Sequence, residues 1–291
     1  MLQKNTSPAP QYALPSEVIV DQYIIERVIA QGGFSTVYLA RQINDQQQVV
    51  IKEYQPASLT KRVGSNVVAL DDESKPAFQH GLKLFIEEAK LLATLKHPNI
   101  VNVQSFFLAN KTAYLVMNHE YGFTLGHWLR NTKEAASDEF LLTIFPAVMR
   151  CIKNMHHRGF LHLDIKPDNI LLRPEDNPLI LDFGAAMPFK KPSDRPPQMF
   201  TRGYSAPEQH SSTSSLLGPW SDIYSIAVSM RACLDKQDPL TPPITPTIPS
   251  TKQYRKKNNQ KILQAIDWGM QENPKKRPQS MDEFIRALQY L

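Results

Sequence analysis

The sequence predicts an α+β chain in which the strands come first and the helices follow. Three observations carry that expectation. Between Val18 and Met117, β-branched and aromatic runs such as Tyr23-Ile24-Ile25, Val49-Val50-Ile51 and Thr112 to Met117 alternate with turn-forming residues. From Thr124 onward, apolar residues recur at helical spacing, as in Leu141, Ile144, Phe145, Val148, Ile152 and Met155. At 291 residues the chain is also long enough to divide into two lobes rather than enlarge a single core.

Composition narrows the function classes. A formal net charge of +5 is mild, and the basic residues are scattered apart from Lys190-Lys191 and Arg255-Lys256-Lys257, so no stripe suited to nucleic acid is present. No apolar run reaches the length of a membrane span. The first residues lack the apolar segment of a secretory signal, and Leu2 replaces the glycine that myristoylation needs. Cys151 and Cys233 sit in apolar, helix-like sequence without metal-ligand spacing, which predicts buried free thiols and a cytoplasmic setting.

Taken in order, residues 1–17 read as a flexible polar tail with several prolines. Strands then lead into Ala30-Gln31-Gly32-Gly33-Phe34-Ser35-Thr36-Val37, a hairpin tip whose glycines allow backbone N–H groups to approach an anion closely. Lys52 ends the strand Val49-Val50-Ile51, where an ammonium is costly to desolvate without an anionic partner. The helical stretch Phe85 to Leu95 offers Glu88, with Glu87 as the alternative. Residues 53–80 mix Pro, Ser, Lys, Asp and Gly and predict an extended loop with a short strand near Asn66 to Leu70. Strands are expected again over 101–108 and 112–117. Arg158-Gly159 supplies the C-terminal stop of the helix over 140–156.

The densest chemistry lies in Phe160 to Gly184, where a hairpin (Ile170 to Leu172, then Leu179 to Leu181) separates two short polar turns. Those turns hold Asp164, Lys166, Asn169 and Asp182. Oxygen ligands of this kind suit Mg²⁺ on a polyphosphate, and a further carboxylate suits orientation of an attacking hydroxyl. Asp-Phe-Gly alone is an ordinary turn after a strand, and Pro-Asp-Asn a common turn composition. Their order and company are more specific. His162-Leu163-Asp164-Ile165-Lys166-Pro167-Asp168-Asn169 followed by Asp182-Phe183-Gly184 and Ala206-Pro207-Glu208 resembles the eukaryotic-type (Hanks-type) serine/threonine protein kinase family, in a compact bacterial-like form.

That resemblance spans residues 18 to 289 and implies a bilobal fold: an N-lobe over 18–119 with a small antiparallel sheet and one helix, and a larger, mostly helical C-lobe over 120–291. It implies ATP and Mg²⁺ as cofactors and protein Ser/Thr hydroxyls as acceptors. Asp164 would serve as base, and Lys166 would neutralise the moving phosphoryl group. Asn169 and Asp182 would ligate the metal, and Lys52, braced by Glu88, would hold the α- and β-phosphates. Ala30, Gly32, Gly33 and Val37 would cover the nucleotide, with Met117 behind the base, His119 in the hinge and Leu171 below. Thr201 would contact the catalytic loop, Asp222 would brace its backbone, and Arg277 would pair with Glu208.

The departures matter too. Against G-x-G-x-x-G only the central Gly32 remains, and Val50 replaces the usual alanine of V-A-I-K. These features leave an ATP-binding pseudokinase scaffold in view, with a small-molecule phosphotransferase as a further alternative. Leu163 stands where many kinases carry the arginine that receives an activation-loop phosphate, so full activity is expected without phosphorylation at Ser193 or Thr201.

Overall fold

A computed structural model describes residues 12–188, 201–210, 216–237, 239 and 260–289. The chain forms two compact units, one of Met1–Lys96 with Val101–Glu120, the other of His97–Ile100 with Tyr121–Leu291. Ser193, Lys190, Lys191 and Arg255 to Lys257 lie outside the described residues.

The first unit is built on a six-stranded antiparallel sheet of order β1-β2-β3-β4-β8-β7. Its strands are β1 (Ile19–Val20), β2 (Tyr23–Gln31), β3 (Ser35–Gln42), β4 (Gln48–Tyr54), β7 (Val103–Ala109) and β8 (Thr112–Asn118). Side chains alternate between faces along each strand, so the register decides which residues share a face. Tyr38 opposite Ile51, and Ile51 opposite Val116, put these residues together with Tyr23, Ile25, Val49 and Tyr114 in one apolar cluster. Ala30 opposite Val37, Val37 opposite Lys52 and Lys52 opposite Leu115 define the other face, to which Met117 also belongs.

Between β4 and β7 the structure holds the short strand expected near Asn66 to Leu70 but replaces the extended loop around it. Residues 53–80 contain a hairpin, β5 (Thr60–Val63) with β6 (Asn66–Ala69), turned by Gly64 at φ +58°, and then the start of the helix α1 (Ser74–Thr94). The helix begins eleven residues before the Phe85 to Leu95 stretch. Asp71 accepts from the Ser74 N–H (2.8 Å) and hydroxyl (2.7 Å), and Pro76 falls in the first turn, where its missing N–H costs no helical bond.

The second unit is mostly helical: α2 (Leu125–Asn131), α3 (Asp138–His157), α4 (Pro219–Asp235), α5 (Gln260–Gly269) and α6 (Met281–Gln289). Ser137 caps α3 by accepting from the Phe140 N–H, and the helix stops where Gly159 adopts φ +83°. Its inward stripe, Leu141, Ile144, Phe145, Val148, Ile152 and Met155, is fully buried. Cys151 and Cys233 are buried free thiols, and burial pushes the Cys233 thiol up to about 12. Two small sheets complete the unit among the described residues. β9 (Phe123–Thr124) and β12 (Asn177–Ile180) flank β11 (Ile170–Arg173), while β10 (Phe160–Leu161) pairs with β13 (Met187–Pro188). Residues 97–100 join this unit because Asn99 donates to the Pro178 carbonyl (2.6 Å) and accepts from the Ile180 N–H (2.9 Å).

One buried ion pair ties the second unit together. Arg277 donates twice to Glu208 (2.8 and 3.0 Å) and also to the carbonyls of Gln271, Glu272 and Trp220, with its guanidinium 4.7 Å from the Tyr224 ring centroid. Both side chains are almost wholly shielded from solvent. Removing one charge strands the other, so Glu208→Gln is expected to lower unfolding free energy by about 3–5 kcal/mol, measured by urea denaturation.

Candidate active site

The chemistry-bearing residues of the first unit gather at the end of β4. The Lys52 ammonium donates to Glu88 on α1 at 2.9 Å, and both side chains are nearly buried. Glu87, the alternative, points to solvent and holds Lys90 instead (2.8 Å). Lys52 also lies 5.7 Å from the Phe85 ring centroid. The shared face of the sheet brings Ala30, Val37, Lys52 and Met117 together, with Met117 buried and Val50 directly opposite it. The tip between β2 and β3 is fixed by its own backbone: the Gly32 N–H donates to the Ser35 carbonyl (2.9 Å), and the Gly33 and Phe34 carbonyls accept from Ala57 and Gln55 (3.0 and 2.9 Å). Neither glycine has a positive φ. A Cβ at Gly33 would meet no atom within 4 Å, and at Gly32 only the Ser35 carbonyl at 3.9 Å. His119 follows β8 and is partly exposed.

In the second unit, Asp164 is the centre of convergence. Lys166 donates to both of its oxygens (3.1 and 2.8 Å), the Thr201 hydroxyl to Oδ1 (2.6 Å) and the Asn169 amide to Oδ2 (2.9 Å) and to the Asp164 carbonyl (2.8 Å). Lys166 also donates to Thr201 (2.9 Å), so the expected contact between Thr201 and the catalytic loop is present. The hairpin of β11 and β12 sets Asn169 beside the Asp-Phe-Gly turn, since the Asn169 carbonyl accepts from the Leu181 N–H (3.0 Å). Asp182 accepts from the Gly184 N–H (3.0 Å). The Asn169 amide nitrogen is committed to Asp164, which leaves its Oδ1 as an oxygen donor near that turn. Leu171, between them on β11, is buried.

The backbone beneath Asp164 is held from behind. Asp222, fully buried on α4, accepts from the N–H groups of His162 (2.9 Å) and Leu163 (2.7 Å) and bonds the ring of His156 (2.7 Å). Burial alone would raise its pKa, but the bond and charge of His156, with His162, outweigh burial and leave it below the ordinary carboxylate value. Leu163 has φ +64°, a left-handed conformation costly for a bulky residue. Its N–H is fixed by Asp222 and its carbonyl by the Gln209 amide (2.8 Å). Its side chain packs with Leu161 and Leu217, against Ala185 and Met187. The roles of Gln209 and His156 escaped the sequence reading. Gln209 directly follows the Ala-Pro-Glu triplet, and His156 lies one helical turn before the Arg158-Gly159 stop. Neither position announces a partner some fifty residues or more away.

With this geometry in hand, comparisons with known proteins assign the class. Residues 23–290 match the protein kinase domain family. The chain is 31% identical to serine/threonine-protein kinase D of Synechocystis sp. over 76% of this chain and 42% of that protein, and 31% identical to PknD of Chlamydia muridarum over 64% and 19%. The solved structure of PpkA-294 in its apo form matches with a TM-score of 0.81 at 29% identity, covering 95% of this chain and 99% of that one. The chain belongs to the protein kinase family, with Hanks-type serine/threonine kinases as its relatives. It spans less than half the length of those two curated relatives. Among the described residues no helix is long and apolar enough to cross a membrane.

His162 gives this site a pH signature. Burial lowers its pKa below the ordinary 6.5, outweighing the charges of Asp222, Asp164 and Asp182, which favour the protonated ring. The unfolded chain therefore takes up this proton at higher pH than the folded one, and stability falls as pH drops below about 6.5. Urea denaturation from about pH 8 to pH 5.5 is expected to show this loss in the wild type and a flatter profile in His162→Gln.

Proposed function

We propose that this chain transfers the γ-phosphoryl group of ATP to serine or threonine hydroxyls of protein substrates. The observation that carries the reading is the set of donors from Lys166, Asn169 and Thr201 around the single carboxylate of Asp164. Such a carboxylate is aimed by its surroundings, which suits orienting a hydroxyl, and transfer of this kind depends on alignment and charge neutralisation.

The residues present fit the nucleotide and its metal. Asp182 and the Asn169 Oδ1 are hard oxygen donors of the sort Mg²⁺ accepts, and two protein ligands suffice when phosphates and water complete the shell. Among the described residues no group of three His, Cys, Asp or Glu forms a cage of its own. Neither the backbone conformation nor a neighbouring atom of the chain requires glycine at 32 or 33, which supports close approach by an external anion there. When bound, MgATP supplies the electrophilic phosphorus, with the metal neutralising part of the charge on the departing ADP. Lys52, oriented by Glu88, would hold the α- and β-phosphates, with Ala30, Val37, Met117 and His119 of the same unit beside the base and sugar. Asp164 accepts a hydrogen bond from the substrate hydroxyl. As the new P–O bond forms and the bond to ADP breaks, it takes the hydroxyl proton. Lys166 lies beside Asp164, where it balances charge on the phosphoryl oxygens. The two buried thiols support a reducing, cytoplasmic setting for this part of the chain.

Leu163 supports activity without a phosphorylated activation segment, because an apolar side chain packed among Leu161 and Leu217 offers no cation to a phosphate. The shortened set of loop glycines favours a second reading, a scaffold that binds nucleotide without turning it over.

Two measurements test these readings. Radiolabel transfer from ATP to a generic protein substrate is expected in the wild type and to fall by about 10³-fold or more in Asp164→Asn. Nucleotide binding without transfer in the wild type would select the scaffold. Phosphatase-treated enzyme and Ser193→Ala are expected to keep their rates within about twofold of untreated wild type; a large loss would contradict independence from loop phosphorylation.

A further inference from the structure

Lys52 and Glu53 are neighbours on β4 that face opposite ways, and Glu53 is completely buried on the core side of the sheet. Its Oε2 accepts from the Tyr38 hydroxyl (2.7 Å) and the Arg62 guanidinium (2.5 Å), its Oε1 from the Tyr114 hydroxyl (2.6 Å). Burial, then the charge of Glu53, pushes both tyrosine pKa values up, keeping these hydroxyls as donors. Arg62 comes from β5, the strand of the hairpin absent from the sequence-based expectation. It also donates to the carbonyls of Tyr12 (2.5 Å) and Ser65 (2.9 Å) and to Gln55 (3.2 Å). The Leu14 N–H donates to Tyr38 (3.0 Å), and Asn110 to Tyr114 (2.8 Å). Three strands of the first unit, β3, β5 and β8, thus end on one carboxylate.

An isolated buried carboxylate is costly, and this one is tolerated because both of its oxygens meet donors, one of them a guanidinium. The complement also fixes the orientation of β4 at the point where its other face does chemistry. On that face Tyr54 stacks with Phe78 (5.7 Å) and lies 5.6 Å from Phe85, both on α1, and Lys52 meets Glu88 of the same helix. We propose that Arg62 is a positioning residue for Lys52. By clamping Glu53 from the hairpin, it sets the strand orientation from which Lys52, held by its partner Glu88, receives the nucleotide phosphates.

The inference rests on the reading of Lys52 as a phosphate-binding residue, and the test separates the two. MgADP affinity by calorimetry and ATP kinetics are compared for wild type, Arg62→Met, Tyr114→Phe and the double variant Glu53→Gln/Arg62→Met, each with its melting midpoint. Arg62→Met is expected to raise the KM for ATP and the MgADP dissociation constant about tenfold while kcat stays within about twofold, and Tyr114→Phe to weaken both about threefold. The double variant removes the stranded charge and is expected to regain the melting midpoint but not the nucleotide affinity, a split that a merely structural role would not produce. Should Arg62→Met fail to fold, Tyr114→Phe and the double variant carry the test. Wild-type nucleotide affinity in the folded variants, or its return together with the midpoint in the double variant, overturns the brace alone. A wild type that binds no MgADP overturns the nucleotide reading and the brace with it.

Discussion

The arrangement around Asp164 depends on a constraint placed behind it, the buried carboxylate of Asp222. Two consecutive backbone N–H groups, those of His162 and Leu163, point at it, and His156 completes its shell. Consecutive amides converge on one anion only if the chain turns sharply, and the turn is the left-handed conformation of Leu163. The strain of that conformation is offset by the charge-assisted bonds that require it. Without Asp222 the peptides leading to Asp164 would keep only the Gln209 bond to the Leu163 carbonyl and the contact of the Asp164 N–H with the His162 ring, too little to offset the strain at Leu163.

The same logic recurs in the first unit with a different anion. Glu53 organises tyrosines and an arginine on one face of β4 as Asp222 organises amides and a histidine in the second unit. In both cases a carboxylate whose burial is unfavourable in itself is surrounded closely enough to specify one local geometry. The residues proposed to touch substrate or nucleotide, Asp164 and Lys52, sit one or two positions away in sequence from residues held in this way. Rigidity is supplied next to the chemistry rather than by it.

How much of this was legible in the sequence depended on the range of the interaction. Asp164, Lys166 and Asn169 lie within six residues of one another, and a hairpin of ordinary length carries the chain to Asp182, so local spacing sufficed to group them. The pairings of Asp222 with the catalytic loop and of Arg277 with Glu208 join residues about sixty to seventy apart, and only the family resemblance suggested them. The first strand of the hairpin over 60–69 and the early start of α1 were hidden by composition: Pro76 and the polar run before it read as loop, although proline is well tolerated in a first helical turn. Glu53 was read as the first residue of that loop, whereas β4 continues through Tyr54. On the strand, Val49, Ile51 and Glu53 share one side by alternation, and an acid on that apolar side demands a partner. The identity of that partner could not be read, because Arg62 belongs to the segment whose fold was hidden.

The apolar packing of Leu163 also limits what a single exchange at this position can achieve. With the side chain committed to a cluster with Leu161 and Leu217, Leu163→Arg would place a guanidinium among aliphatic neighbours. A phosphate-sensing cation here would therefore call for compensating polar changes around it as well as the arginine itself.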